Sequence, residues 1–539
     1  MQKLLLLGDE AIAQGAIDAG LSGVYAYPGT PSTEITEYIQ ASKEAKERNI
    51  RSNWSANEKT AMESAIGMSY AGKKALVCMK HVGLNVAADA FVNAAITGAN
   101  GGLVVLSADD PSMHSSQNEQ DSRFYGKFAM IPVLEPSNQQ EAYDMTRYAF
   151  TLSEKFGTPV LIRVTTRLAH SRAGVQRVEV LGQNDLHLPS NLKQFVLLPS
   201  IARKQYNQLL GKQARFEDDA LTSGYNQLIE KDNHKLGIVA CGLAYNYLIE
   251  NFEDHQVPYP VLKVGQYPVP HDLVRKLYDQ VEEILVLEDG YPLFEELLKG
   301  YLNNGKKIMG RLDGSIPMAG ELNPNIVAHA LGIPVNVGHQ NPAVIQGRPP
   351  SLCDGCSHTD SFLALNEALS KFSSGRVFSD IGCYTLSALK PLESINSCVD
   401  MGASITMAIG AADAGLVPSV ASIGDSTFTH SGMTGLLDAV NNNSPIVVVI
   451  LDNSTTGMTG GQQSSALGKI DTICLGLGVH PDHIRVITPL RRNHEENVKV
   501  ITEELNYQGV SVIIARRECI QTLGRRMKLK AMQKMESNN

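Results

Sequence analysis

The sequence has 539 residues, 43% of them hydrophobic and 19% charged, and its formal net charge is -9. This length is enough for several globular domains, and the ordinary composition argues against a disordered or fibrous chain. The acidic balance gives no nucleic-acid-binding footprint, and no apolar run reaches the ~18 residues that a membrane helix requires, so we expect neither nucleic acid nor a membrane as partner.

The amino-terminal segment contains a short apolar run, Leu4 to Leu7, which acidic residues follow at once. This pattern is neither a signal peptide nor a membrane anchor, so we expect a cytoplasmic protein. Its eight cysteines should therefore be reduced rather than paired in disulfides. Cys78 and Cys241 lie in apolar runs, where we expect them to be buried packing residues.

Short, nearly unbroken apolar runs alternate with helical patterns along most of the chain, which predicts an α/β fold with parallel sheets buried on both faces. Helical patterns at 33–48 and 57–72 precede the first of the predicted strands. These strands span residues 75–80, 102–108, 159–165, 237–242, 283–289, 376–382, 419–425, 445–453 and 511–517.

Two polar stretches interrupt this pattern and suggest domain boundaries. One follows the strand that ends at 165, and the other is a connector at 335–352 that is rich in Pro, Gly and Asn. We predict a first α/β domain at 1–170, a linker region with helices at 171–235, a smaller α/β domain at 236–334, a second large α/β domain at 350–525 and a basic tail at 526–539.

Polar residues follow two neighbouring predicted strands in the last large domain. A tight turn at Gly424, Asp425 and Ser426 follows one strand, and Asn453 ends the next. Both strand ends should meet at the sheet edge where ligands bind in this fold class, and a helix from about Gly432 is predicted to follow the turn. Backbone amides there suit a phosphate, and the oxygen ligands suit Mg²⁺; the plain alternative is two ordinary turns.

This stretch resembles the thiamine diphosphate-binding signature, which begins with Gly-Asp and ends with Asn. The third position of that signature is usually Gly and is Ser426 here. The Ser form is similar to that of the 2-oxoacid:ferredoxin oxidoreductases of the indolepyruvate type. The resemblance implies thiamine diphosphate held at Gly424, Asp425 and Ser426, with Mg²⁺ bound by Asp425, Asn453 and the backbone carbonyl of Thr455.

The first domain resembles the pyrimidine-binding domain of the large (alpha) subunit of the same family. The resemblance implies that Glu58 is the catalytic carboxylate beside the aminopyrimidine ring, and that Thr30 and Arg123 contact the substrate. From the residues alone, Glu58 is a helix-dipole partner and Arg123 an ion-pair residue. The segments that carry the resemblance are 27–35, 54–67, 80–91 and 107–123.

Two histidines lie next to motifs that should line the same pocket. His81 and His430 could each transfer a proton near the cofactor, although an orienting role is the more ordinary one for a histidine in such a place.

Four cysteines of the last domain could bind iron or zinc. Cys353 and Cys356 form a close pair, while Cys383 and Cys519 are single residues that each follow a predicted strand. Four thiolates suffice for one [4Fe–4S] cluster or one structural zinc, and a single pair favours the cluster because zinc sites usually contain two pairs. The family resemblance also implies a cluster here, with Cys398 as the reserve ligand in place of Cys519.

Two departures from the family pattern affect the expected activity. Met458, grouped here with the cofactor-binding loop, occupies a position where relatives specialised for pyruvate have Asn, which weakens a pyruvate assignment. Many relatives also continue into a ferredoxin module, and none follows residue 525 here. We therefore expect one cluster, with electrons leaving through a partner or a docking ferredoxin.

The resemblance implies oxidative decarboxylation of an aryl 2-oxoacid such as indolepyruvate to acyl-CoA and CO₂, with ferredoxin or another acceptor taking the electrons. A smaller beta subunit would complete the enzyme, as a heterotetramer of two heterodimers. Two alternatives remain from the residues themselves: a non-oxidative thiamine-dependent decarboxylase or carboligase, and a non-catalytic assembly subunit with structural zinc.

Overall fold

The computed structural model describes residues 3–191, 193–300, 305–317, 320–335, 338, 342–345, 351–398 and 400–536. The chain forms two compact units, Met1–Gln340 and Asn341–Asn539. The expected boundary near 350 lies in a stretch mostly outside the described residues, and so do the last three residues of the basic tail.

A seven-stranded sheet forms the centre of the first unit, and almost every residue of its inner strands is buried because helices cover both faces. An antiparallel ribbon of β1 with β8 lies beside it. The strands of this part are β1 (Lys3–Leu7), β2 (Gly23–Ala26), β3 (Arg51–Trp54), β4 (Ala75–Lys80), β5 (Leu103–Asp109), β6 (Val133–Leu134), β7 (Val160–Thr165) and β8 (Arg172–Gln176). Its helices are α1 (Gly8–Asp18), α2 (Thr33–Ala41), α3 (Lys43–Glu47), α4 (Glu58–Tyr70), α5 (His81–Thr97), α6 (Arg123–Ala129), α7 (Gln139–Phe156), α8 (Thr166–His170) and α9 (Pro199–Thr222).

A five-stranded sheet, in the order β14-β13-β10-β11-β9, forms the smaller α/β part of the first unit. One further strand, β12, instead pairs antiparallel with β6 and so forms the edge of the seven-stranded sheet, whose order is β12-β6-β7-β5-β4-β2-β3. The strands here are β9 (Gln227–Ile229), β10 (Leu236–Cys241), β11 (Val261–Val264), β12 (Gln266–Tyr267), β13 (Glu283–Leu287) and β14 (Lys307–Met309), with helices α10 (Ala244–Ile249), α11 (His271–Gln280), α12 (Leu293–Lys299) and α13 (Pro324–Leu331).

The region expected to be a linker, 171–235, is part of the folded first unit. Its strand β8 pairs with β1, and its helix α9 buries Leu209 and Phe216. The Phe216 ring packs edge-on against Phe156 at a centroid distance of 5.1 Å. The polar composition reflects the exposed face of an amphipathic helix rather than a flexible spacer.

The second unit contains a six-stranded parallel sheet in the order β16-β15-β17-β18-β22-β21 and a small β19-β20 ribbon. Its strands are β15 (Arg376–Ser379), β16 (Ser397–Cys398), β17 (Ser419–Gly424), β18 (Ile446–Asp452), β19 (Thr455–Thr456), β20 (Gln462–Gln463), β21 (Ile484–Ile487) and β22 (Ser511–Arg516). Its helices are α14 (Ser357–Leu369), α15 (Ala403–Asp413), α16 (Asp425–Thr427), α17 (Met433–Asn441), α18 (Ile470–Gly476), α19 (His494–Leu505) and α20 (Ile520–Glu536).

The predicted α/β class and all of the predicted strands are confirmed, with ends shifted by three residues at most. The helix predicted from about Gly432 begins earlier, at Asp425, because a π-helical turn at Phe428–Gly432 joins α16 to α17. The basic tail is not a separate segment within the described residues, since α20 begins at Ile520 and runs through it. Among the described helices, none has the length and apolar character needed to span a bilayer.

Candidate active site

The ends of two adjacent strands form the candidate diphosphate and metal site of the second unit. β17 and β18 pair in parallel with Gly424 opposite Leu451, so Asp425 and Asn453 follow neighbouring strands at one edge of the sheet. α16 begins at Asp425, which directs the backbone amides of its first turn toward the same edge. This is the placement expected for an anion at a helix start in a parallel sheet.

The Asp425 carboxylate is buried and only partly satisfied. Its Oδ1 accepts a hydrogen bond of 2.9 Å from the Ser426 amide, while Oδ2 is buried without a hydrogen-bond partner among the described residues. Burial, together with the negative charge of Asp452, raises the pKa of Asp425 to about 7. A buried carboxylate oxygen without a donor is a costly feature that a bound cation relieves, so Asp425 fits a Mg²⁺ ligand.

Asn453 and Thr455 complete this edge, and a histidine that sequence reasoning missed supports them. The Asn453 Oδ1 accepts the Thr455 amide at 3.1 Å, and its Nδ2 lies 3.2 Å from Nε2 of His358. Burial lowers the pKa of His358 to about 4, so its imidazole is neutral and can accept the Asn453 amide proton. His358 thereby sets which way the Asn453 amide faces. The motif "CSHTD" gave no signal for this because His358 is distant in sequence from the turn.

Tyr384 is a second missed residue, and it explains why position 424 is glycine. A Cβ on Gly424 would lie 2.7 Å from Cε1 of the Tyr384 ring. The Tyr384 hydroxyl donates to Asp380, which also accepts the Ser404 hydroxyl at 2.8 Å and the Gly402 amide at 3.2 Å. This buried network fixes the ring against the backbone at the start of α16.

Cys353, Cys356, Cys383 and Cys519 converge in the second unit. Burial raises the pKa of the Cys383 thiol to about 11, and the nearby Cys356, Cys519 and Cys353 contribute to the same shift. Cys398 is separate: its Sγ lies 3.7 Å from the Asp380 carbonyl oxygen, and its raised pKa owes nothing to the other thiols. The structure therefore brings together the four predicted cysteines and leaves out the reserve candidate.

The sulfur atoms of these cysteines are less tightly grouped than the four ligands of a bound zinc ion would be. No three cysteine sulfurs within the described part of the chain lie within 4.8 Å of one another. A tetrahedral zinc, with Zn–S bonds of about 2.3 Å, needs its sulfurs closer than that. An iron–sulfur cluster would instead hold each thiolate on a different iron, which places the sulfur atoms further apart.

Glu58 lies at the first turn of α4 in the first unit and is 4% exposed. Its carboxylate packs against the backbone of Gly83 in α5: a Cβ on Gly83 would lie 2.6 Å from Glu58 Oε1. Burial lowers the pKa of Lys80, which lies just before α5, to about 8. The nearby charges of Asp110 and Glu58 oppose this shift. Glu58 is thus a buried carboxylate against a glycine, rather than an exposed helix-capping residue.

The other predicted pocket residues of the first unit, His81 and Thr30, each contact the segment that contains Ser115 and Asn118. His81, at the start of α5, is 1% exposed; its Nε2 lies 3.2 Å from the Asn118 carbonyl oxygen, and its Nδ1 has no hydrogen-bond partner among the described residues. The Thr30 carbonyl oxygen accepts the Ser115 hydroxyl at 3.2 Å. The structure therefore joins the loops that carry Thr30 and Ser115.

Arg123 does not have the geometry of a substrate clamp. Its side chain is fully buried; Nη1 lies 3.0 Å from Glu288 and donates to Tyr267 at 3.2 Å. Nε and Nη2 bond to Asp121, and Nη2 also donates to the Tyr291 and Asp289 carbonyl oxygens. All five N–H donors of a guanidinium are used. In this structure Arg123 ties the seven-stranded sheet region to the smaller α/β part of the same unit.

His430 and Met458 flank the Asp425 turn in the second unit. His430 is 4% exposed, and its Nδ1 lies 2.6 Å from the Ser431 hydroxyl, so its described contact orients the ring. Met458 is 55% exposed, in a short helical turn after Thr456. Neighbouring Gly457 lies against the cysteine group, since a Cβ there would be 3.1 Å from Cys383 Sγ.

Comparisons with known proteins give the family. Residues 14–233 match the model of the pyruvate flavodoxin/ferredoxin oxidoreductase thiamine diphosphate-binding domain, and residues 380–515 match the thiamine pyrophosphate enzyme C-terminal TPP-binding domain. The chain is 40% identical to indolepyruvate oxidoreductase subunit IorA of Archaeoglobus fulgidus, covering 96% of this chain and 86% of that protein. It is 37% identical to the IorA of Pyrococcus horikoshii over the same shares.

The chain belongs to the IorA family.

This IorA-family chain is therefore an enzyme subunit of the 2-oxoacid oxidoreductase class with thiamine diphosphate-binding domains in both units. Glu58 falls within the first matched domain, and Asp425, Asn453 and Cys383 fall within the second. Cys353, Cys356 and Cys519 lie outside both matched ranges.

A solved structure supports the fold of the IorA-family chain. It is a 2-oxoglutarate:ferredoxin oxidoreductase from Magnetococcus marinus, with a TM-score of 0.50 and 15% sequence identity over 61% of this chain and 65% of that one. At this identity the likeness shows a shared α/β architecture and nothing about the substrate.

Proposed function

We propose that this chain is the large subunit of a cytoplasmic oxidoreductase that converts an aryl 2-oxoacid such as indolepyruvate, with CoA, to acyl-CoA and CO₂. One [4Fe–4S] cluster on Cys353, Cys356, Cys383 and Cys519 passes the electrons to a ferredoxin. The observation that carries the proposal is the convergence of these four cysteines beside the loop that follows Asn453, in a chain of the IorA family.

In the second unit, Asp425, Asn453 and the carbonyl of Thr455 would hold Mg²⁺, with the diphosphate at the first turn of α16. The buried, unpartnered Oδ2 of Asp425 supports this role. The neutral His358 holds the Asn453 amide group so that one face of its Oδ1 can serve as a ligand. Thiamine diphosphate supplies, when bound, the nucleophilic carbon and the electron sink that decarboxylation of a 2-oxoacid requires.

In the first unit, Glu58 would hold a proton at the ring nitrogen of the aminopyrimidine. Its burial strengthens that hydrogen bond, because a carboxylate in an apolar surrounding interacts more strongly with a single partner than it does in water. The saturated Arg123 cannot bind the substrate carboxylate in this structure, so Thr30 and His81 remain the proposed substrate-facing residues.

The cluster site has an exposed side that suits electron exit. Cys353 is exposed, while the other three proposed ligands are partly buried. An open cavity of about 510 Å³ lies beside Cys356 and is lined by Arg491, Arg492 and Arg517. Arg517 pairs with Asp360 at 3.0 Å. Because arginines on a rim attract an acidic partner, this surface supports docking of an acidic ferredoxin near the cluster.

The names of the relatives describe a subunit, so a smaller beta subunit and a heterotetramer form part of the proposal. The test is anaerobic purification of the chain with that subunit, followed by iron and sulfide analysis and an assay with CoA, a viologen and a panel of 2-oxoacids. We expect four irons per chain and faster viologen reduction with indolepyruvate than with pyruvate or 2-oxoglutarate.

Three results would each contradict a part of this proposal. Aldehyde formation without viologen reduction would indicate a non-oxidative decarboxylase. One zinc per chain with no iron and no thiamine diphosphate would indicate an assembly subunit. Preference for pyruvate, with iron present, would leave the cluster assignment intact and overturn only the choice of an aryl substrate.

A further inference from the structure

A buried carboxylate outside the candidate active site has no visible partner. Asp9, in the first turn of α1, is fully buried, and both of its carboxylate oxygens lack a hydrogen-bond partner among the described residues. Burial is the main cause that raises the pKa of Asp9, and the charges of Glu34 and Glu10 add to it. Protonation alone would not satisfy this group, because the added O–H would still need an acceptor.

Two further potential ligands face Asp9 from different helices. Glu34 lies in the first turn of α2, and His170 ends α8. The His170 Nε2 lies 3.6 Å from Oε1 of Glu34, while the other oxygen, Oε2, is buried and has no partner among the described residues. One ligand atom from each of Asp9, Glu34 and His170 lies within 4.8 Å of the others.

The charges around this group favour a cation. Glu10 and Asp110 add further negative charge, since Glu10 contributes to the raised pKa of Asp9 and Asp110 to that of His170. The nearby Cys78 thiol is buried and its pKa is raised, so it is neutral. Two carboxylates and one imidazole, with three orphaned buried oxygens among them, therefore lie in an acidic surrounding.

We propose that Asp9, Glu34 and His170 form a binding site for a divalent transition-metal ion, separate from the proposed magnesium site. One imidazole nitrogen and two carboxylate oxygens are a donor set that suits Mn²⁺, Fe²⁺ or Zn²⁺. His170 is about one-third exposed, which gives the ion a path from solvent and leaves room for water ligands.

The ion would fasten the loop that carries Thr30. Glu34 lies on the same segment, where the Gly29 amide donates to the Thr33 hydroxyl at 3.0 Å and the Ser32 hydroxyl donates to the Gly29 carbonyl at 2.8 Å. These bonds make residues 29–33 one compact turn, and Glu34 follows it directly. A metal on Glu34 would link this turn to α1 and α8, and thus set the position of the Thr30 loop without touching the substrate.

Mn²⁺ is the probe, because it prefers oxygen and nitrogen ligands and avoids the cysteine group. The full-length chain is stripped with a chelator, kept free of thiamine diphosphate and titrated with Mn²⁺ in the D425N background, which disables the proposed magnesium site. Free Mn²⁺ is measured by electron paramagnetic resonance. We expect one Mn²⁺ per D425N chain, at least tenfold weaker binding in D9N/D425N and H170Q/D425N, and unchanged binding in E37Q/D425N.

Thermal melting separates a lost ligand from a lost fold. Mn²⁺ should raise the Tm of the D425N chain and leave that of H170Q/D425N unchanged. His170 is partly exposed, so H170Q should fold even if D9N does not. The proposal is overturned if the D425N chain binds no Mn²⁺, or if H170Q/D425N binds it as tightly as the D425N chain does.

Discussion

The backbone amide of Cys519 donates a hydrogen bond of 3.1 Å to the carbonyl oxygen of Asn453. The proposed cluster ligand that follows β22 is thereby connected to the proposed magnesium ligand that follows β18, in adjacent strands of one sheet. A rigid link of this kind keeps two cofactor sites at a fixed separation. The identity of the fourth proposed cluster ligand, Cys519 or Cys398, can be tested by substitution.

Changing Cys519 to Ser should lower the iron content and the absorbance near ~400 nm, and reduce 2-oxoacid-dependent viologen reduction at least a hundredfold, because a serine hydroxyl is a poor cluster ligand. The matched control is C398S, in the cysteine whose thiol lies near Asp380 instead. Full iron content in C519S combined with its loss in C398S would exchange the two assignments.

The contact between Glu58 and Gly83 allows the carboxylate to be displaced without being removed. In G83A, the new methyl would lie 2.6 Å from Glu58 Oε1, so the carboxylate must move, and we expect at least a tenfold loss of kcat. E58Q should lose activity more completely while folding normally. G67A, in α4 where a Cβ meets nothing within 4 Å, is the control and should be slightly more stable with normal kcat. Normal kcat in E58Q would remove Glu58 from the reaction.

Arg123 should behave as a structural residue. Replacing it with Met leaves Glu288 buried without its ion-pair partner and Asp121 with Arg163 alone, at 3.8 Å, and we expect a loss of about 3–5 kcal/mol in unfolding free energy, measured as a large fall in Tm. K127M, on the exposed side of the same helix, should have almost no effect. An unchanged Tm with a raised KM for the 2-oxoacid would restore the substrate-clamp assignment.

The lowered pKa of Lys80 predicts that the stability difference between the wild type and K80M depends on pH. Burial lowers its folded-state pKa to about 8 from 10.5, so between these pH values the unfolded chain binds more protons than the folded one. The contribution of Lys80 to the free energy of unfolding therefore increases as the pH rises from about 8 to 10.5. K80M should be more stable than the wild type at pH 7, and the Tm difference should shrink toward pH 10. A difference independent of pH would contradict this.

The arginines beside Cys356 should matter for a protein acceptor alone. Reversing two charges in R491E/R492E should raise the KM for an acidic ferredoxin at least fivefold, with a weaker effect at high salt. Methyl viologen, a small cation, should be reduced at the normal rate or faster. Equal losses with both acceptors would mean that the substitutions damage the cluster site itself.

The sequence predicted well those features that repeat or lie close together in the chain. The apolar runs gave the strands, since burial on both faces leaves few polar residues in them, and the Gly424–Asp425 turn followed from its position after a strand. The cysteine group was predicted from residue type and resemblance, and the structure separates Cys519 from Cys398 through their different neighbours.

The features that the sequence did not predict depend on contacts between distant segments. The pairing of Asn453 with His358 and the packing of Tyr384 under Gly424 join residues with no shared motif. Arg123 fitted a family pattern, but its pairing with Glu288 arises only when two parts of the first unit fold together. The polar composition of 171–235 favours a linker, because composition does not distinguish the exposed face of a helix from a flexible segment.

The edge strand β12 has a consequence for how the first unit can be divided. Gln266 and Tyr267 pair with Leu134 and Val133. One edge strand of the seven-stranded sheet is therefore formed by residues that follow residue 235 in the chain. A fragment ending at 235 would leave β6 as an open strand edge, a surface on which copies of the fragment can add to one another. Fragments and fusions should therefore keep residues 3–335 together. The boundary expected near residue 235 is not a suitable place to divide the chain, because β12 on its far side completes the sheet.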